Sequence, residues 1–110
     1  MTTRHAVVVE DDLELRRLLL VLLRSLDFGV VGFGSAEAAL AWLSMHPAPN
    51  LVTVDLRLPG LSGLDLCDRL RANTDTAHVP IIVATGSTSL SDRVAVAEHG
   101  ATWLDKPCDV

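Results

Sequence analysis

Residues 51–63 read Leu51-Val52-Thr53-Val54-Asp55-Leu56-Arg57-Leu58-Pro59-Gly60-Leu61-Ser62-Gly63, and the fold follows from how this stretch is punctuated. Leu51 to Val54 is a short apolar run of the kind that forms a buried strand, and Pro59-Gly60 marks the loop after it. Beyond Ser62-Gly63, Leu64, Cys67 and Leu70 recur at i, i+3, i+6, which predicts a helix with those three facing inward. Asp55 therefore closes a strand, and open α/β sheets bind ligands at the carboxyl ends of their strands.

Ala6-Val7-Val8-Val9 ends the same way, in Glu10-Asp11-Asp12, so two neighbouring parallel strands would point several carboxylates into one crevice. Such a cluster repels itself unless something positive joins it. An oxygen-only acidic pocket suits Mg²⁺, which binds through one or two carboxylates plus waters and phosphate oxygens. Further strands are expected at Val30–Phe33, Ile81–Ala84 and Thr102–Leu104. A first helix, about Leu13 to Leu26, carries Leu15, Leu18, Leu19, Leu22, Leu23 and Leu26 on an apolar face, with Asp12 as its cap. A second follows Ser35 and runs until Pro47, and a fourth covers about Ser91 to His99, stopped by Gly100. This alternation predicts a parallel sheet with right-handed crossovers.

The 110 residues, 49% apolar, fit one compact domain spanning 1–110. A net charge of −5, with nine scattered basic residues, excludes a nucleic-acid surface, which needs clustered Lys and Arg. The longest apolar stretch, Leu18 to Leu23, is too short to span a membrane, and the amino terminus lacks a signal-peptide pattern, so the expected location is the cytoplasm. Cys67 and Cys108 are too few for a disulfide framework and lack metal spacing, so free thiols are expected. His5, His46, His78 and His99 are isolated and are expected at the surface or at edges.

Four features in order, Glu10-Asp11-Asp12 after the first strand, Asp55 with Pro59-Gly60 after the third, Thr85 after the fourth and Lys106-Pro107 after the fifth, make the chain resemble a response-regulator receiver domain. That family is the phosphorylated half of a two-component signalling pair. The resemblance implies a flavodoxin-like, doubly wound, five-stranded parallel sheet in the order 2-1-3-4-5. It implies that Asp55 accepts a phosphoryl group from the phosphohistidine of a histidine kinase or phosphotransfer protein, with Lys106 and Thr85 assisting. Mg²⁺ would be held by Asp11, Asp55, Glu10 through water and the backbone carbonyl of Arg57. Lys106 would pair with Asp55 or the phosphate, its peptide bond to Pro107 being cis in most of the family. Thr85 and Trp103 would form the switch, although Trp103 serves equally well as core filling.

The same resemblance makes the domain self-catalysing in phosphorylation and dephosphorylation, but no metabolic enzyme. Two departures stand out. Cys108 occupies a position where relatives usually carry Phe, and no fifth helix follows the fifth strand before Val110. A bared apolar face near that strand is the expected result, in a shortened form of a longer regulator or in a chain that dimerises through that face. Two competing classes share parts of this pattern. A haloacid-dehalogenase-like phosphohydrolase requires Asp-x-Asp, and here the second position is Arg57. A pseudo-receiver, a protein-interaction module that signals without phosphate, is the alternative to the phosphoacceptor.

Overall fold

The computed structural model of the chain describes residues 3–106. Strands and helices alternate as β1 (Arg4–Val9), α1 (Leu13–Ser25), β2 (Phe28–Phe33), α2 (Ala36–Leu43), β3 (Leu51–Asp55), α3 (Gly63–Ala72), β4 (Ile81–Thr85), α4 (Leu90–Glu98) and β5 (Thr102–Asp105). All pairings are parallel and the spatial order is β2-β1-β3-β4-β5. The chain steps outward from β1 to β2, then returns to the other side of β1 with β3. The carboxyl ends of β1 and β3 therefore flank the topological switch point, where such sheets open a crevice.

Side chains alternate across the pleat and build two cores. Val7, Val9, Val52, Val54, Ile81 and Val83 face α2, α3 and α4, where they meet Ala36, Ala39, Leu66, Cys67, Leu70 and Val96. Ala6 and Val8 face α1 and meet Leu23, with Leu19, Leu20, Phe28, Val30 and Leu51 around them. Each fully buried aliphatic side chain contributes about 1.5–3 kcal/mol, so the first, larger cluster dominates the folding free energy.

The six leucines expected on one face of α1 are divided. Leu23 is buried and Leu19 packs against the core, joined by Leu20, whereas Leu18, Leu22 and Leu26 are exposed together with Val21. Six positions span too wide an arc for one contact with a sheet, and α1 is the only described helix on its face. In α3 the inward set is Gly63, Leu66, Cys67 and Leu70, with Leu64 half-buried. Residue 66 falls on the same arc as 63 and 70, while 64 lies toward the edge.

β1 and β2 begin two residues earlier than the apolar runs suggest, because the ladder pairs Arg4 with Phe28 and His5 with Gly29, and polar Arg4 and His5 and the glycine interrupt the apolar pattern. Asp12 and Ser35 cap α1 and α2 as expected. α4 starts one residue early because Ser89 is its cap, and Gly100 follows the helix at φ +68°. Ser62 and Asp65 close a capping box on α3.

Arg71, near the end of α3, donates to the carbonyls of Ala77, Val79, His99 and Gly100 at 2.7–3.1 Å. One guanidinium thus ties α3 to the start of β4 and to the turn before β5. No helix follows β5 among the described residues, and Leu104 on that strand is half exposed. No described helix is long and apolar enough to cross a membrane. Cys67 is a free, buried thiol, and burial pushes its pKa up to about 11. Cys108 and the Lys106–Pro107 peptide bond lie outside the described residues.

Candidate functional site

Three strands converge on the crevice beside the switch point. β1 delivers Glu10, β3 delivers Asp55, and β4 pairs Asp55 with Ala84, so Thr85 follows one step further along. On the next strand Thr85 pairs with Asp105, and the Lys106 N–H donates to the Thr85 carbonyl at 2.9 Å. That bond turns Lys106 back toward the crevice. Its ammonium lies 2.8 Å from Asp55 Oδ2 and 2.9 Å from Glu10 Oε1.

Glu10 and Asp55 are buried, at 1% and 6% exposure, while Asp11 is exposed at the mouth. Carboxylate oxygens of all three lie within 4.8 Å of one another. Burial, followed by repulsion from Asp55, drives the Glu10 pKa up to about 7 despite its contacts with Lys106 and with the Asp12 N–H. Burial opposes the charge on Lys106, but hydrogen bonds to Asp55 and Glu10 outweigh it and raise its pKa. One ammonium therefore faces two buried carboxylates, and burial lets Glu10 keep its proton to a higher pH than an ordinary carboxylate. With three carboxylates and one ammonium, the fully ionised cluster is short of two positive charges.

This donor set fits a hard divalent cation. It is made of oxygen alone, and its three carboxylates converge on a single ammonium that cannot neutralise them all. Glu10, Asp11 and Asp55 form the only such group of potential ligands among the described residues.

Backbone features fix the carboxylates. The Arg57 N–H donates to Asp55 Oδ1 at 3.2 Å. A Cβ on Gly63 would collide with the Asp55 carbonyl oxygen, so the first turn of α3 approaches β3 closely only because that residue is glycine. Gly60 turns at φ +74°, and a Cβ there would strike the Glu37 carboxylate, which accepts from the Leu61 N–H at 3.3 Å. A Cβ on Gly86 would meet nothing within 4 Å, so the side of the site beyond Thr85 is open. Arg16 donates to the Glu10 carbonyl at 2.8 Å and covers Gly32 of β2 and Gly34 just after it.

Thr85 is buried, and its hydroxyl oxygen accepts from the Ser87 N–H at 3.1 Å. It lines, with Gly86, Ser87, Leu90, Arg93 and Lys106, a cleft of about 520 Å³ between α4 and β5. Trp103 is half-buried beside that cleft. Its indole N–H donates to Asp105 Oδ1 at 2.8 Å, and the Arg93 guanidinium lies 5.0 Å from its ring. Glu10, Asp11, Asp55 and Lys106 are thus brought into one site. Thr85 joins it from the edge, and Trp103 stands apart on β5.

Sequence reasoning missed several residues that hold the site. Gly63 carried a signal, because glycine is a poor choice for the first turn of a helix unless something approaches it closely. Arg16, Glu37 and Asp92 carried none, since their partners lie far away in the sequence. Arg16 is half-buried and structural, and Leu19 packs against the core on the same helix.

A sheet of this order with an acidic crevice at its switch point defines an open, doubly wound α/β module of the kind that binds ligands there. Comparison with known proteins narrows it: the family model for the response regulator receiver domain matches residues 6–110, and the chain belongs to that family. Nodulation protein W of Bradyrhizobium diazoefficiens is 43% identical over 102 residues, 91% of this chain and 43% of that protein. The crystal structure of a response regulator receiver protein from Pseudomonas putida superposes with a TM-score of 0.89 at 34% identity, covering 99% of this chain and 90% of that one. The Mn(2+)-bound form of response regulator Rcp1 gives 0.89 at 27% identity, covering 97% and 84%. The chain spans less than half the length of the curated relatives it matches first. It is a receiver domain of two-component response regulators, a module of phosphorylation-based signalling.

Proposed function

We propose that Asp55 accepts a phosphoryl group from the phosphohistidine of a histidine kinase or phosphotransfer protein, in a Mg²⁺-dependent reaction in the cytoplasm. The observation that carries the reading is the Lys106 ammonium held 2.8 Å from a buried carboxylate at the switch point, beside two further carboxylates. An Asp55 oxygen attacks phosphorus, the new O–P bond forms as the phosphohistidine P–N bond breaks, and the imidazole leaves with the electron pair. Charge on the transferring group spreads over three equatorial oxygens, so the protein contributes positioning and electrostatic stabilisation. Lys106 supplies a fixed positive charge, and Thr85 supplies a hydroxyl to a phosphoryl oxygen.

Asp11, Asp55, Glu10 through water and the Arg57 carbonyl are the residues that would hold Mg²⁺. The ion would neutralise phosphoryl oxygens and restore the charge the cluster lacks. That the similar response regulator Rcp1 has a Mn(2+)-bound form supports the binding of a divalent ion.

Phosphate on Asp55 draws Thr85 inward, Trp103 follows, and the surface around α4 and β5 changes, so that the phosphoryl group selects one of two packings. The adjoining cleft of about 520 Å³ supports this by offering space into which side chains move. A second copy meeting the chain near β5, where Leu104 is half exposed, belongs to the same proposal; a concentration-independent monomer in sedimentation would count against it. The phosphoacceptor itself is tested by treating the protein with acetyl phosphate and reducing with borohydride. Peptide mass should then place homoserine at residue 55. Modification of another residue would contradict the proposal.

A further inference from the structure

Arg57 and Ser87 flank the acidic crevice on the loops after β3 and β4, and both side chains end on one atom. Ser87 Oγ donates to Asp92 Oδ2 at 2.6 Å, and Arg57 Nη2 lies 3.4 Å from the same oxygen. Asp92 sits in the first turn of α4, where a negative charge is favoured by the helix dipole and where its own N–H is capped by Ser89. Backbone contacts complete a circuit. The Arg57 N–H donates to Asp55 Oδ1, and the Ser87 N–H donates to Thr85 Oγ1. The path Asp55, Arg57, Asp92, Ser87, Thr85 thus runs around the mouth of the site through a residue of α4.

We infer that Asp92 is a positioning residue that latches the two loops flanking Asp55 to α4, and that a phosphoryl group on Asp55 opens the latch by taking over the Arg57 guanidinium. The inference rests on the phosphoacceptor reading above. The exchange is one of ion pairs only, and no covalent bond changes beyond the phosphorylation itself.

Relative strengths decide its direction. The Arg57 side chain is 77% exposed and its contact with Asp92 is longer than the 2.7–2.9 Å of a strong charge-assisted bond, so little holds it. Asp92 already spends the same oxygen on Ser87. A phosphoryl group offers about −1.5 to −2 charges and three acceptor oxygens, and it would form on the carboxylate that Arg57 already contacts through its backbone. Arg57 is therefore better paired after phosphorylation, and Asp92 competes with the phosphoryl group for it. Loss of the Arg57 contact would leave the Asp92 carboxylate with its Ser87 bond.

The test is a double-mutant cycle on the whole chain, with Asp92→Asn, Arg57→Gln and the pair, each followed by intact mass during labelling with acetyl phosphate. Asp92→Asn keeps the shape and the Ser89 cap while removing the competing charge. Labelling should speed up roughly two- to fivefold, the scale of an exposed ion pair. In the Arg57→Gln background the same change should have no effect, which a merely structural role for Asp92 would not produce. Equal effects in both backgrounds, or none in either, would overturn the latch while leaving Asp55 as phosphoacceptor. A wild-type chain that takes no phosphoryl group would overturn both.

Discussion

The Lys106 ammonium lies 2.8 Å from Asp55 Oδ2, joining residues 51 positions apart at the carboxyl ends of β5 and β3. Lys106 reaches there because its own N–H continues the β4–β5 ladder by bonding the Thr85 carbonyl. Removing the charge should slow phosphorylation more than it disturbs folding. Lys106→Met is expected to slow labelling by acetyl phosphate on the order of 10²-fold, the usual cost of one preorganised electrostatic contact. Circular dichroism should stay that of the parent. A rate within twofold of the parent would remove Lys106 from the mechanism.

Glu10 makes metal-free stability depend on pH. Its folded-state pKa, about 7, is raised from the ordinary 4.5, so the native state holds a proton that the unfolded chain has released. The stabilisation is complete below pH 4.5 and is lost as pH rises toward and through 7. Lys106, with its pKa raised, stays charged across this window and adds no slope. Urea midpoints without divalent ions should therefore fall between pH 5 and pH 8, roughly the window these values define. Glu10→Gln should flatten the profile, and saturating Mg²⁺ should shrink the slope in the parent. A midpoint that rises over this range would contradict the charge balance derived for the site.

Gly63→Ala places a methyl group against the Asp55 carbonyl. Alanine favours helices by about 1 kcal/mol over glycine, but the clash opposes it and the expected net result is destabilisation of about 1–3 kcal/mol. Denaturant unfolding measures this. Stabilisation would show that β3 and α3 can separate without cost.

Arg71→Ala removes the donors to four carbonyls at the sheet's opposite end. A loss of roughly 2–4 kcal/mol is expected, because charged hydrogen bonds are lost and partly buried acceptors are left waiting for water. The labelling rate per folded molecule should hardly change. A large loss of rate with stability intact would mean that the tie reaches the phosphorylation site.

Trp103 reports the switch if Trp42 is first replaced by Phe, since those are the two tryptophans. Phosphorylation should alter Trp103 emission, because the ring leaves its contacts with Arg93 and Asp105. Amide exchange in α4 should change with it. If both are identical with and without phosphate, the coupling from Thr85 to Trp103 is wrong.

Much of the site was legible because Glu10, Asp55, Thr85 and Lys106 each follow an apolar run, and a parallel sheet brings such ends together. The sheet order came from family resemblance, since alternating strands and helices alone allow several orders. What stayed hidden depends on contacts without a local pattern. Asp92 meets Arg57 across 35 positions, and Arg71 meets carbonyls, which any residue provides. The apolar face of α1 was read too wide, because leucine favours a helix whether or not anything packs against it, so Leu18, Leu22 and Leu26 promise contacts that the described residues do not make.

The most direct measurement is intact mass after incubation with acetyl phosphate, with and without Mg²⁺, for the parent and Asp55→Ala. The account predicts one added phosphoryl group on the parent with Mg²⁺, and none without the ion or without Asp55. A folded parent that gains no phosphoryl group, or gains one equally well without Mg²⁺ or with alanine at residue 55, would contradict it.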